Sequence, residues 1–221
     1  MAIIATRESA LLVVDVQRGF TTLCPDELPV PGGLEIVPAI NRLLALEWAR
    51  IDATQDWHPP DHRSFRGQAD NLYPPHCVMG TPGADFVPGL DTHRFHAIWR
   101  KGFQRDFEAY AVTAQHPSMF ALYRGPHPQP LSQGARGAGS PHPQPLSQGA
   151  RGVEAFVVCG IATNICCYFT ARDFRRAGFR VLIVEDASAG IDVPAAGLMQ
   201  AKTREEGVAL GIEYVSTGEI I

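Results

Sequence analysis

The apolar positions of this chain fall into two patterns. Some segments are apolar at nearly every residue, and others are apolar every three or four residues. Residues 10–16, "ALLVVDV", form a continuous apolar run ending on an acid, as a strand buried on both faces does. Residues 153–161, "VEAFVVCGI", read the same way, and so does "RVLIVEDAS" at 180–188. "RIDATQDWH" at 50–58, "HAIWRKG" at 96–102 and "IEYVSTGEI" at 212–220 are shorter strand candidates.

Between them lie helical spacings. Ile36, Ile40, Leu43, Leu44 and Trp48 share one face of a helix within 34–49. A helix is expected over part of 109–123. "TNICCYFTARDFRRAG" reads as a helix with Thr163 or Asn164 as N-cap and Gly178 as its stop. "VPAAGLMQAKTREEG" reads as the last helix. Strands alternating with helices predict a single α/β domain over 1–221. Its sheet is doubly wound and mostly parallel, with helices on both faces. In such sheets ligands bind beyond the carboxyl ends of the strands. Asp15, Asp56, Lys101 and Cys166 all fall at or just after such ends.

One stretch fits neither pattern. "PHPQPLSQGARG" occurs twice without a change, at 126–137 and 141–152, separated by "AGS". Its prolines and glycines suit neither a helix nor a ladder strand, and its only large apolar residues are Leu131 and Leu146. The 126–152 segment therefore reads as an inserted, exposed loop produced by duplication. His127 and His142 within it carry no catalytic weight. Closing a longer loop costs only about 0.6 kcal/mol per doubling of length.

Composition narrows the class. The 221 residues suit one hydrophobic core, and 45 % are hydrophobic. A net charge of −4 without a basic stripe argues against a nucleic-acid partner. The N-terminal apolar stretch is broken by Arg7 and Glu8, so no signal peptide is read. No run is long enough to span a bilayer, so no membrane partner is expected. Five cysteines without a disulfide framework point to free thiols in a reducing cytoplasm.

The candidate chemistry is concentrated in two places. Asp56, His58 and His62 stand within seven residues, and His76 follows a Pro-Pro pair. Such N/O donors on loops suit a divalent metal, although proline-flanked histidines also occur in surface turns. Cys166 and Cys167 are adjacent at a helix start, where unpaired amides favour a thiolate and hold an oxyanion. Residue 167 points about 100° away from residue 166 and suits packing, and both cysteines also fit a purely structural role. Asp15 could take the proton of a nucleophilic cysteine, and Lys101 could balance the charge.

The motifs "LLVVDVQRGF", "QDWHPPDHRSF", "YPPHCVMGTPGADF", "WRKGF" and "GIATNICC" occur in an order that resembles the nicotinamidases of the isochorismatase-like cysteine hydrolase superfamily. The resemblance covers nearly the whole chain outside 126–152. It implies Cys166 as nucleophile, Asp15 as general base and acid, and Lys101 as the third member of a triad. It implies Asp56, His58 and His76 as ligands of one divalent metal ion (zinc, iron or manganese), with His62 in the place of a fourth. Phe20 and Tyr73 match aromatic positions around a pyridine ring. Ile161–Ala162 matches a peptide that is usually cis, which leaves the amides of Ala162 and Cys166 as an oxyanion hole. Nicotinamide or pyrazinamide is the implied substrate, and a homo-oligomer stays open. Two positions depart from the family: Asn164 stands where Asp is common, and Cys167 where Val is common. The alternatives are a related metal-containing amidase for another small amide, or an inactive metal-binding scaffold.

Overall fold

A computed structural model describes residues 4–125 and 152–220. The duplicated segment therefore lies outside the described residues, except for Gly152. Six strands form one sheet: β1 (Ser9–Val14), β2 (Arg50–Asp56), β3 (Ala97–Lys101), β4 (Ala155–Ile161), β5 (Arg180–Ala189) and β6 (Glu213–Val215). Their order is β3-β2-β1-β4-β5-β6, and every pairing is parallel. The two apolar runs that end at Val14 and Ile161 are the central neighbours β1 and β4, buried at every position. The sequence order reverses direction between them, which opens a crevice at their carboxyl ends.

Among the described residues there are four α-helices: α1 (Val37–Leu44), α2 (Met119–Arg124), α3 (Tyr168–Arg176) and α4 (Gln200–Leu210). Right-handed crossovers carry α1 and α3 to opposite faces of the sheet. α1 buries Val37, Ile40, Leu43 and Leu44, and Pro38 is tolerated because it lies in the first turn. On the α3 side, Phe156 of β4 stacks on Phe174 of α3 with centroids 3.9 Å apart. Tyr123 of α2 packs edge-on against Phe156 at 4.4 Å.

The helix expected over part of 109–123 is α2, preceded by a 3-10 turn, Val112–Ala114. Two other helices differ from the sequence reading. The last helix begins at Gln200, because Pro194 and Gly197 shape a separate turn ahead of it. The segment after β4 opens as a π-helical turn, Thr163–Cys167, whose N-cap is Ala162 and which has no side-chain cap. Neither Thr163 nor Asn164 caps it.

The neck of the duplicated segment is tightly drawn. The Val153 amide donates to the Tyr123 carbonyl at 2.9 Å. A Cβ on Gly152 would stand 2.4 Å from the Arg124 carbonyl oxygen, so only glycine fits at this crossing. Gly160 is equally constrained on β4. Its φ is +124°, and a Cβ there would meet the Val14 carbonyl oxygen at 2.1 Å. Gly160→Ala is expected to destabilise the fold by about 3 kcal/mol, read as a lower urea midpoint.

Candidate active site

The crevice between β1 and β4 gathers residues from six segments. Asp15 directly follows β1 and has a φ of +49°, a conformation an aspartate adopts more readily than most residues. Its amide donates to the Thr54 carbonyl at 3.2 Å, and its Oδ1 accepts the Thr54 hydroxyl at 2.6 Å. Asp15 is completely buried.

Lys101 ends β3, two strands away, in register with Asp56 of β2. Its side chain runs inward and is 1 % exposed. Nζ lies 2.5 Å from Asp56 Oδ1, 2.9 Å from Asp15 Oδ2 and 3.3 Å from Cys166 Sγ. The contact with Asp15 Oδ2 is ionic, and among the described residues that oxygen has no hydrogen-bond partner. One acceptor beside the thiol is therefore open.

Cys166 sits in the π-helical turn after β4. That turn is closed by the Cys167 amide donating to the Ala162 carbonyl at 3.1 Å, five residues back. The Ile161–Ala162 peptide is cis. Both Ala162 and Cys166 line the cavity in front of β1 and β4. Cys167 is fully buried and does not line it.

The charges explain the resting protonation. Burial pushes the Cys166 thiol well up, and the nearby Lys101 only partly offsets this. The helix start that favours a thiolate in the sequence is buried here, and burial favours the thiol. Burial likewise raises the Asp15 carboxyl, with Asp56 adding to the rise and Lys101 and the Thr54 bond opposing it. Asp15 is thus a stronger proton acceptor than a surface aspartate.

The second cluster adjoins the first. One ligand atom each from Asp56, His58 and His76 lies within 4.8 Å of the others. The Nδ1 atoms are held by backbone carbonyls: His58 by Gly102 at 2.9 Å and His76 by Pro74 at 2.8 Å. This fixes both rings by Nδ1 and leaves Nε2 to face the cluster, that of His58 lying 3.6 Å from Asp56 Oδ2, the arrangement that orients metal-binding histidines. Burial pushes His76 down to about 3, so it is neutral and able to ligate near pH 7. Burial opposes the charged form of His58 too, but Asp56 outweighs it and raises that ring. A Cβ at Gly102 would stand 2.4 Å from His58 Cε1, so the ring is packed against bare backbone. The donor set fits a divalent ion.

His62 does not join this set. Its Nδ1 bonds Ser64 Oγ at 2.8 Å and its Nε2 bonds the Phe107 carbonyl at 3.2 Å. With both nitrogens engaged, its ring lies against that of His58 at a centroid distance of 4.1 Å. Among the described residues, the histidine-containing group close enough to share one ion is Asp56, His58 and His76, and His62 packs behind His58.

Phe20 and Tyr73 flank His76, with centroid distances of 5.3 Å and 5.7 Å, and both line the cavity. The sequence reading missed Tyr110, whose hydroxyl lies 3.0 Å from that of Tyr73. It also missed Glu108, Ile165 and Ile191 in the cavity wall. The "YAVTAQ" segment after Lys101 offers no periodicity that would have marked Tyr110. Gln17 was missed as well. Its amide bonds both the N–H and the C=O of Asp56 at 2.8 Å, and so fixes the residue shared by both clusters.

The isochorismatase domain family matches residues 146–208 of the chain. A nicotinamidase from Acinetobacter baylyi is 32 % identical over 96 % of this chain and 94 % of its own length. PnC1 from L. infantum, solved in complex with nicotinate, superimposes with a TM-score of 0.77 at 26 % identity, covering 100 % of this chain and 98 % of that one. The pyrazinamidase of Pyrococcus horikoshii in complex with zinc gives a TM-score of 0.68 at 30 % identity, covering 95 % and 99 %. Among the described residues of this chain, no helix is long and apolar enough to cross a membrane. With sequence likeness along almost its whole length and the same six-stranded fold, the chain belongs to the nicotinamidase family of isochorismatase-like hydrolases.

Proposed function

We propose that this chain hydrolyses nicotinamide to nicotinate and ammonia, with Cys166 as nucleophile. The observation that carries this reading is one cavity where Asp15, Lys101 and Cys166 meet next to Asp56, His58 and His76. Phe20 and Tyr73 give that cavity aromatic walls for a flat ring. The free oxygen of Asp15 takes the thiol proton as Sγ attacks the carboxamide carbon. Lys101 remains protonated and balances the two carboxylates around it. The amides of Ala162 and Cys166 hold the developing oxyanion. Asp15 returns the proton to the leaving nitrogen, the C–N bond breaks, and ammonia departs. Water then loses a proton to Asp15 and attacks the thioester. The C–S bond breaks, and nicotinate and the free thiol are released.

Asp56, His58 and His76 would hold a divalent ion, which would supply a Lewis-acid anchor for the pyridine nitrogen. Zinc, iron and manganese all suit these donors. The test combines substrate and ligand changes. Nicotinamide is expected to turn over well and benzamide poorly, because benzamide lacks the ring nitrogen. His58→Ala is expected to lower bound metal, measured by elemental analysis, and to raise KM about tenfold or more. Full activity in a metal-free His58→Ala protein would refute the anchoring role.

A further inference from the structure

The bonding pattern of Gln17 recurs across the cavity. Asn164 is 2 % exposed and lies two residues before the nucleophile. Its Oδ1 accepts the Ile191 amide at 3.1 Å, and its Nδ2 donates to the Ile191 carbonyl at 2.9 Å. The second N–H of Nδ2 goes to the Leu198 carbonyl at 3.0 Å. Gln17 does the same to Asp56, with its second N–H on the Ala84 carbonyl at 2.8 Å. Each amide thus pairs with the N–H and C=O of one residue, as a neighbouring strand would, and ties a second carbonyl to it. Gln17 fixes the side of the cavity that carries Asp56. Asn164 fixes the opposite side, where Ile191 lines the cavity.

Beyond Ile191, the segment that Asn164 holds is fixed by its own turn and by the Gln200 amide donating to Asp192 Oδ1 at 2.7 Å. It follows β5 and doubles back through the paired Val193 and Leu198, whose amides and carbonyls exchange bonds of 2.9 Å and 3.1 Å. Ile191 precedes that pair, and the bonds found at its backbone are those to Asn164. Gly190 lets the two segments approach, since a Cβ there would stand 3.0 Å from Asn164 Oδ1 and 2.4 Å from Gln200 Oε1. The aspartate common at this position in the family could accept the Ile191 amide but could not donate to the Ile191 and Leu198 carbonyls as Asn164 does here. It would set a carboxylate against two carbonyl oxygens that now receive N–H groups.

We infer that Asn164 is a positioning residue for substrate binding: it holds Ile191 in place as a wall of the ring site and acts through that residue, not through the Cys166 thiol. The inference rests on the reaction proposed above. Asn164→Asp is expected to raise KM for nicotinamide and Kd for nicotinate by roughly tenfold, with kcat and the iodoacetamide rate of Cys166 changed less than about threefold. Asn164→Ser, uncharged and smaller, is expected to shift KM in the same direction and serves if the aspartate variant does not fold. Ile191→Ala is expected to raise KM too, and adding Asn164→Ser to it is expected to raise KM no further. Amide exchange of the 189–199 segment reads the clamp without any substrate, and the Ile191 amide is expected to lose protection in both Asn164 variants. Unchanged Ile191 exchange would overturn the inference, whatever the substrate. So would additive KM effects in the double variant, or a fall in kcat and thiol reactivity with KM intact. If wild type hydrolyses no nicotinamide but the exchange result holds, the clamp stands and the assigned substrate falls.

Discussion

Cys166→Ala is expected to abolish amide turnover while leaving the fold and the cavity intact. Among the described residues, Cys166 Sγ is the only thiol in contact with Lys101 Nζ, and the residue lines the cavity that holds the proposed metal ligands. Without it no thioester forms, and a fall of at least about 10⁴-fold in kcat follows. Loss of one buried sulfur costs about 1 kcal/mol, too little to unfold a domain of this size. Nicotinate binding should therefore survive, and calorimetry on the variant measures it. The neighbouring thiol provides the control. Cys167 is fully buried and outside the cavity, so Cys167→Val, a swap of similar volume, is expected to keep kcat/KM within about threefold. If Cys167→Val kills activity and Cys166→Ala does not, the assignment of the nucleophile is wrong.

Lys101→Met is the second large effect, and it acts on both activity and stability. In the native protein one buried ammonium faces two buried carboxylates, Asp15 and Asp56. Burial alone would lower the Lys101 pKa, yet Asp15 and Asp56 outweigh it and hold it well above its ordinary value. The sign of the linkage follows. The stabilisation is fully present below the unfolded lysine value, and it is lost only as pH rises through the still higher folded value. It is therefore at full strength near pH 7. Methionine fills a similar volume without charge and leaves two like charges in a dry site. One carboxylate must take up a proton, and Asp15 then cannot serve as base. A loss of about 3–5 kcal/mol in unfolding free energy and at least about 10³-fold in kcat/KM is expected, from urea denaturation and ammonia release respectively. A Lys101→Met protein with native stability and activity within tenfold of wild type would remove the lysine from the account.

The sequence revealed those parts of the site that local pattern dictates. "ALLVVDV" must be a central strand because both of its faces are apolar, and its end places Asp15 at the crevice. The second apolar run does the same for Cys166. Strand alternation therefore places Asp15, Lys101 and Cys166 at one edge of the sheet. Side-chain partners were less visible. The contact of His62 Nε2 with the Phe107 carbonyl, 45 residues away, is one that no local pattern in "DWHPPDH" reports. Tyr110, Glu108 and Ile191 reach the cavity from irregular segments, where no periodicity tells an inward side chain from an outward one. Asn164 looked like a helix cap, and the structure turns its amide to the opposite loop. The π-helical turn was equally hidden, because its five-residue closure on Ala162 leaves no mark on the hydrophobic spacing.

The central claim is that nicotinamide is cut at its carboxamide by this site. The direct measurement follows ammonia and nicotinate together, from nicotinamide incubated with the purified, metal-loaded wild-type chain beside Cys166→Ala. Equal amounts of both products from wild type, and neither from the variant, is the predicted result. Absence of both products from a folded, metal-loaded wild type, or equal release by Cys166→Ala, would contradict it.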